Sequence, residues 1–311
     1  MHDWLICIEI PMSKAVRVFL NLKSGNGTAL PDRIAELFAK HGRACRVSQL
    51  GKQVDAMALA RTDPPEMVFV AAGGDGTVNL VAQAVAGTER LMGVLPVGTL
   101  NHFAKDLNLP LELEAAVALI AGGQGRHIDA AQVNGMIFVN NSSLGVYPAM
   151  VIARERMKTS GRNKWASLVV ASAQAFIRFR CLTVEFDVNG KSSVCTTPFL
   201  FVGNNDYCLE GARLGERAQL DEGRLSLYLA PGATRSTMLR LLISALFGRL
   251  KPTADFEVHK TINFRVTTKK RSLRVSLDGE VRRIATPLEY RIRPAALHVI
   301  CLPATPDGGE S

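Results

Sequence analysis

Near Asp129 the spacing of apolar residues changes from the three-and-four of an amphipathic helix to the two of a half-buried strand. Before that point, short apolar runs at Val16–Leu22, Ala44–Leu50, Val68–Ala72 and Leu91–Leu95 alternate with helical patterns. Ile34, Leu37 and Phe38 fall at i, i+3, i+4 before Gly42, and Val78, Val81, Ala82 and Val85 repeat the pattern before Gly87. Two more helices are expected, over 54–61 ahead of Pro64-Pro65 and over 112–121 ahead of Gly122-Gly123. After Asp129, Leu182, Val184, Phe186 and Val188 alternate with polar residues into an Asn189-Gly190 hairpin turn. Phe256 to Val266 and Leu273 to Leu277 alternate likewise, and 224–230 and 288–292 read as further strands. Helices are expected only over 164–179 and 236–247. The pattern predicts an α/β fold: a three-layer domain with a parallel sheet over 13–128, then a mainly antiparallel, β-sandwich-like domain over 129–294. Residues 295–311 are expected to return to the first domain.

The run Val68 to Asn79 sets an apolar strand against Gly73-Gly74-Asp75-Gly76-Thr77, which opens directly into a helix. Glycines let the backbone approach a phosphate, and the helix start offers unpaired N–H groups and a positive dipole end. Asp75 in such a turn would repel phosphate unless a divalent cation lay between them, so the turn suggests a metal–nucleotide site. Similar turns follow the neighbouring strands, at Asn21-Leu22-Lys23-Ser24-Gly25 and at Pro96-Val97-Gly98-Thr99-Leu100-Asn101. Three turns at adjoining strand ends form a crevice of the kind in which open α/β sheets bind ligands. No GxxxxGK[ST] is present and the Gly74-x-Gly76 pair lacks a third glycine, which disfavours P-loop and dinucleotide-type sites.

Lys+Arg 37 against Asp+Glu 28 gives a net charge of +9, which favours phosphates or anionic lipid surfaces. No dense basic block is interleaved with aromatics, so nucleic acid is not expected as a partner. The six cysteines lie far apart without a CxxC pair and read as buried thiols in a reducing compartment. Residues 1–12 carry Asp3 and Glu9 and show neither a signal peptide nor an anchor, and no apolar run is long enough to span a membrane.

Taken together, these motifs resemble the diacylglycerol kinase catalytic-domain family, which includes bacterial lipid kinases and sphingosine and ceramide kinases. Asn21 to Gly25 stand for its N-P-x-S-G, Gly73 to Asn79 for G-G-D-G-T-[ILV]-N, and Leu95 to Asn101 for L-P-x-G-T-x-N. Val202-Gly203-Asn204-Asn205, Leu220 to Leu225 for L-D-D-G-x-L, and Leu277 to Glu280 for L-D-G-E continue the match in order. The resemblance implies an ATP-dependent lipid kinase that phosphorylates the hydroxyl of diacylglycerol, giving phosphatidate, or of a related lipid alcohol. It implies nucleotide-binding positions at Asn21, Leu22, Lys23, Ser24, Gly25, Ser48, Gly73, Gly74, Asp75, Gly76, Thr77, Val78, Asn79, Gly98, Thr99 and Asn101. Glu280 is implied as general base, with Asp278 close enough to share the role. Mg²⁺ is expected at Asp75, and a structural Mg²⁺ on the loop of Gln219, Asp221, Glu222 and Arg224, through the Glu222 side chain and the carbonyls of Gln219 and Arg224.

Leu22 replaces the family's proline, Glu222 stands where aspartate is usual, and His102 occupies a position where aspartate is commoner. That aspartate joins a carboxylate–water–metal network in many bacterial members, so His102 implies a different magnesium arrangement or weak activity. Ceramide, a sphingoid base or phosphatidylglycerol are alternative acceptors. NAD kinase, which shares the G-G-D-G-T turn, and a nonenzymatic lipid or nucleotide sensor are alternative classes. The expected partner is an acyl lipid met at the membrane surface, by a cytoplasmic protein associated peripherally with the inner face; a homodimer is compatible with the sequence. The apolar 234–251 stretch with basic ends, and the basic run from Arg154 to Lys164, could each face lipid or serve as ordinary core and solvated surface.

Overall fold

The computed structural model describes residues 8–9, 15–21, 29–51, 54–98, 101–122, 124–145, 181–188, 191–209, 215–217, 219–234, 236–238, 240, 244 and 256–302. The chain divides into two compact units, Met1–Ile128 with Ala295–Ser311, and Asp129–Pro294.

In the first unit the elements run β1 (Ile8–Glu9), β2 (Val16–Leu20), α1 (Leu30–Lys40), β3 (Cys45–Gln49), α2 (Ala56–Thr62), β4 (Val68–Ala72), α3 (Asp75–Val85), β5 (Leu91–Leu95), α4 (His102–Asp106), α5 (Leu113–Gly122) and the start of β6 (Gln124–Val133). Strands β3, β2, β4 and β5 are parallel neighbours in that order, and residues 295–301 supply a further parallel strand with His298 opposite Leu91. β4 and β5 are buried at every position, as strands covered on both faces must be. Val16, Val18, Leu20, Val68 and Val70 pack against Ile34, Leu37 and Phe38 of α1 and Val117 and Ile120 of α5. Phe19 and Phe69, at the alternate positions, meet edge-on at 5.0 Å on the other face, where the Arg90 guanidinium lies 4.4 Å over Phe69. The helix ends follow from sequence. Gly42 takes φ +68 just past α1, and the Asp55 carboxylate accepts from the amides of Met57 and Ala58 at the start of α2. Burial and the neighbouring His127 hold the pKa of His298 below the usual imidazole value.

The second unit carries the rest of β6, then β7 (Met136–Phe138), β8 (Asn141–Gly145), β9 (Leu182–Val188), β10 (Lys191–Thr197), β11 (Phe199–Asn204), β12 (Leu225–Leu229), β13 (Glu257–Thr261), β14 (Asn263–Thr267), β15 (Ser272–Leu277), β16 (Glu280–Ala285) and β17 (Leu288–Cys301), whose second half is the strand beside β5. β10, β9, β14 and β17 form one antiparallel run, and β13, β12, β11, β8, β15 and β16 form a separate antiparallel sheet. Their inward residues share one core, with Val184, Phe186, Phe264 and Val266 from the first sheet and Leu200, Val202, Leu227, Val275 and Leu277 from the second. This is the sandwich that the period-two pattern requires. Tyr290 stacks on Phe264 at 4.5 Å, and its hydroxyl meets Ser142 Oγ at 3.0 Å.

α4, β6, β7, β8 and β11 are elements that the periodicity does not mark. β8 reads Asn-Ser-Ser-Leu-Gly, polar at three of five positions, yet Ser142 and Ser143 are buried because the strand lies inside its sheet. The Asn189-Gly190 turn, the 164–179 helix, the basic run from Arg154 to Lys164 and residues 306–311 lie outside the described residues. The 236–247 helix begins as expected, with Thr234 Oγ1 accepting from the Thr237 amide at 3.2 Å, and most of its length lies outside them too. Cys45, Cys181, Cys195, Cys208 and Cys301 are free thiols.

Candidate functional site

Because β2, β4 and β5 are parallel, their C-terminal tips lie at one edge of the first sheet. The Asn21 amide donates to Ala72 O at 3.0 Å and the Gly73 amide to Leu95 O at 3.3 Å, so the three turns start side by side. Gly74 is the N-cap of α3, extended at φ −86 and ψ −171, and as a glycine it brings no capping side chain. Amide N–H groups of the first turn therefore face the turn region with a positive dipole end. A Cβ on Gly98 would lie 2.5 Å from Gly74 Cα and 2.7 Å from Asn101 Oδ1, and one on Gly73 would lie 2.3 Å from Thr77 Oγ1. These two glycines are thus demanded by contact within the protein. Asn101, in the left-handed region at φ 51, donates its side-chain amide to Pro96 O and Gly98 O, both at 3.0 Å, and so fastens the second turn. Asp75 Oδ1 accepts a long 3.4 Å hydrogen bond from the Phe103 amide at the start of α4, next to the exposed His102.

The residues of Gly73 to Asn79 therefore divide by role. Thr77 and Val78 are buried and build the corner, while Gly74, Asp75 and Gly76 are partly exposed and face outward from it. Ser48 lies on β3, where its hydroxyl accepts from Arg17 Nη1 at 3.0 Å. Leu22, Lys23, Ser24, Gly25 and Thr99 lie outside the described residues. A Cβ on Gly74 would meet only Gly98 Cα, at 3.9 Å. We expect Gly98→Ala to lower both the thermal midpoint and ATP affinity, since two backbones must separate, and Gly74→Ala to weaken ATP binding with the midpoint unchanged. Thermal melts beside ATP titrations check the pair, and a normal midpoint in Gly98→Ala would count against the close approach.

In the second unit, β15 and β16 are joined by a two-residue turn with Leu277 opposite Glu280, and Asp278 (φ 47) and Gly279 (φ 84) take the positive φ values of a type I′ turn. Asp278 is 7% exposed, and its carboxylate accepts from the amides of Val139 (2.9 Å), Asn140 (2.8 Å) and Asn141 (3.0 Å). Those residues are gripped from the other side as well. Arg217, itself buried, donates to Val139 O and to Asn140 Oδ1, and Asn204 Nδ2 bridges Val139 O (2.9 Å) and Asp129 O (3.0 Å). Asp129 Oδ2 in turn accepts from the Gly223 amide at 2.6 Å. One buried network thus joins the Leu277 to Glu280 turn, the Val202 to Asn205 motif and the Leu220 to Leu225 loop. Arg217, Asp129 and Asn140 were not among the sequence-derived candidates, and no spacing rule marks a buried arginine.

Glu280 differs from Asp278 in each respect. Its side chain is 53% exposed, and among the described residues its carboxylate meets only Arg282 Nη2, at 3.3 Å, in a solvent-screened pair. In the loop, both Glu222 oxygens are engaged: Oε1 accepts from Arg224 Nη2 at 2.7 Å and Oε2 from the Asp206 amide at 2.9 Å, while Arg224 O accepts from the Asn205 amide at 3.0 Å. Gln219 and Asp221 are exposed. A Mg²⁺ on this loop would compete with the Arg224 guanidinium for Glu222 Oε1. Burial tends to raise the Asp206 pKa, but hydrogen bonds from Lys260, Ser226 and Arg224 outweigh it and hold that carboxyl below its usual range. Asp75 does fit a cation carried by phosphates, since Mg²⁺ keeps most of its waters and asks for one or two carboxylates beside the phosphate oxygens.

A diacylglycerol kinase catalytic domain model matches residues 15–133, and a YegS C-terminal NAD kinase beta sandwich-like domain model matches residues 145–301. The chain belongs to the family of proteins in which a diacylglycerol kinase catalytic domain precedes a YegS C-terminal beta sandwich-like domain. Within that family it is 29% identical over 233 residues to a Pseudomonas putida protein named "Probable lipid kinase YegS-like", covering 74% of this chain and 76% of the relative. To a protein named diacylglycerol kinase from Staphylococcus aureus it is 24% identical over 278 residues, covering 86% and 87% of the two chains. A crystal structure of a diacylglycerol kinase from Bacillus anthracis superposes with a TM-score of 0.70 at 20% identity, covering 94% of this chain and 98% of that one. The likeness confirms the fold, a parallel α/β unit followed by an antiparallel sandwich. Family membership makes the protein a kinase of the lipid-kinase group. A cavity of about 630 Å³ in the second unit is lined by Gln132, Asn263, Arg265, Glu289 and Arg291 among others. Its polar walls and the 2.7 Å Arg265–Glu289 pair do not suit acyl chains. Among the described residues no helix is long and apolar enough to cross a membrane.

Proposed function

We propose that the protein transfers the γ-phosphoryl group of ATP to the hydroxyl of diacylglycerol or a closely related lipid alcohol at a membrane surface. The observation that carries this reading is the contact of the Gly73-Gly74 and Gly98 turns at neighbouring strand tips, beside a helix start whose N-cap is a glycine and beside Asp75. Main-chain amides there would hold the triphosphate, and a Mg²⁺ on Asp75 would offset the charge that spreads over the phosphoryl oxygens. Glu280 is the proton acceptor in this scheme. As the lipid oxygen forms its bond to the γ-phosphorus, the bond from that phosphorus to the β,γ-bridging oxygen breaks, ADP leaves, and the hydroxyl proton passes to the Glu280 carboxylate. Asp278 holds the turn that presents Glu280, since its own oxygens are committed to three amides. The relatives' names, lipid kinase and diacylglycerol kinase, support a lipid acceptor over NAD.

The test is incubation with labelled ATP and Mg²⁺, offering diacylglycerol vesicles and free NAD in parallel. Label is expected in the organic phase as a phosphatidate-type lipid. Label on NAD alone would overturn the lipid reading, and ATP binding with no transfer to any lipid would favour a sensor.

A further inference from the structure

Away from the nucleotide turns, β6 and β17 are paired strands, and in the first unit they set His127 beside His298. The two imidazole rings stack with centroids 4.3 Å apart and planes 13° from parallel. Glu89, in the turn between α3 and β5, completes the group, with one ligand atom from each residue lying within 4.8 Å of the others. His298 is 3% exposed, with the backbones of Glu89 and Gly125 beside its ring. A neutral imidazole carries one donor and one acceptor, so a ring that gives its proton to a backbone carbonyl keeps one buried lone pair to offer an ion. The chain makes room for that ring, because a Cβ on Gly125 would lie 2.7 Å from His298 Nε2.

The other two residues are disposed to share an ion. His127 Nδ1 lies 3.3 Å from Ala295 O; donating there places the proton on Nδ1 and leaves the lone pair on Nε2, the arrangement that a backbone carbonyl imposes on metal-binding histidines. Glu89 is exposed, and the adjacent Arg90 does not draw on it, since its guanidinium donates to the carbonyls of Ala60, Asp63, Pro64 and Met67.

We propose that Glu89, His127 and His298 form a binding site for a divalent transition metal of the zinc class, with two imidazole nitrogens, one carboxylate oxygen and a fourth position left to water. Two imidazoles select a borderline cation over Mg²⁺ or Ca²⁺, which prefer oxygen donors. Coordination requires the half-exposed His127 ring to tilt out of the stack so that both lone pairs converge. The ion would then tie β6, β17 and the α3–β5 turn together, far in chemistry from the magnesium that serves the phosphates.

The experiment uses the full, untagged chain with excess Mg²⁺ present to fill oxygen-donor sites, titrated with Co²⁺ and followed by its visible d–d absorption, then with Zn²⁺ by calorimetry. Wild type should take up a single equivalent with a four-coordinate Co²⁺ spectrum, and Zn²⁺ should raise its thermal midpoint. His127→Ala and Glu89→Gln, both at accessible positions, should fold, keep Mg²⁺-dependent ATP turnover and bind the metal at least ~10-fold more weakly. An unchanged Co²⁺ spectrum in both variants would place the ion on other histidines and overturn the proposal. Failure of the wild type to bind Co²⁺ or Zn²⁺ would overturn it equally.

Discussion

Glu280→Gln is expected to lower phosphoryl transfer to lipid by at least ~10²-fold while ATP affinity stays at the wild-type value, the scale on which a lost general base is felt. The substitution keeps the shape of the side chain and removes only its capacity to take a proton. Because Glu280 is exposed and its ion pair with Arg282 is screened, the thermal midpoint should move little. A fall in kcat with an unmoved ATP affinity and an unmoved melt is the signature of a group acting in the transition state alone. Full turnover in Glu280→Gln would show that another group takes the proton. The next carboxylate along the chain, Asp278, is poorly suited, since its two oxygens already accept from Val139, Asn140 and Asn141.

The first unit was legible because its local signals agree with one another. A five-residue strand buried throughout, a glycine turn and a helix with Val78, Val81, Ala82 and Val85 on one side leave one reading, and the structure places β4, the turn and α3 accordingly. The second unit was legible as a class of fold but not strand by strand. β8 and β11 carry serines, asparagines and a glycine that local propensity assigns to loops, and only their central place in a sheet makes them strands. The site shows the same division. Gly74 and Gly98 could be found as turns, but the 2.5 Å constraint between them depends on two strands meeting in space. In sequence Glu280 stands as the implied base, with Asp278, two residues away, close enough to share the role. Their separation into an anchor and an exposed acid depends on residues 139–141, far away in sequence, which supply the amides.

Asp278→Ala should destabilise the second unit by ~3 kcal/mol or more, because buried donors left without an acceptor cost roughly 1–3 kcal/mol each and three amides lose theirs. Alanine at φ 47 adds a left-handed backbone cost of about 1 kcal/mol, which aspartate and asparagine tolerate better. Asp278→Asn is the informative companion. Its remaining oxygen can still accept from Asn140 and Asn141, which both donate to Oδ1, while its amide would confront the Val139 N–H that now donates to Oδ2. Asparagine should therefore cost clearly less than alanine. Urea unfolding followed by a probe in the second unit would read both, with a lower midpoint and an unchanged m-value expected. An alanine variant within about 0.5 kcal/mol of wild type would mean that the amides find water instead, and the case for a buried anchor would fail. If the anchor holds, Asp278→Asn assayed well below its midpoint should lose turnover in proportion to how far the turn bearing Glu280 is displaced, while Glu280→Gln loses turnover with that turn intact. The two variants then separate holding the base in place from being the base.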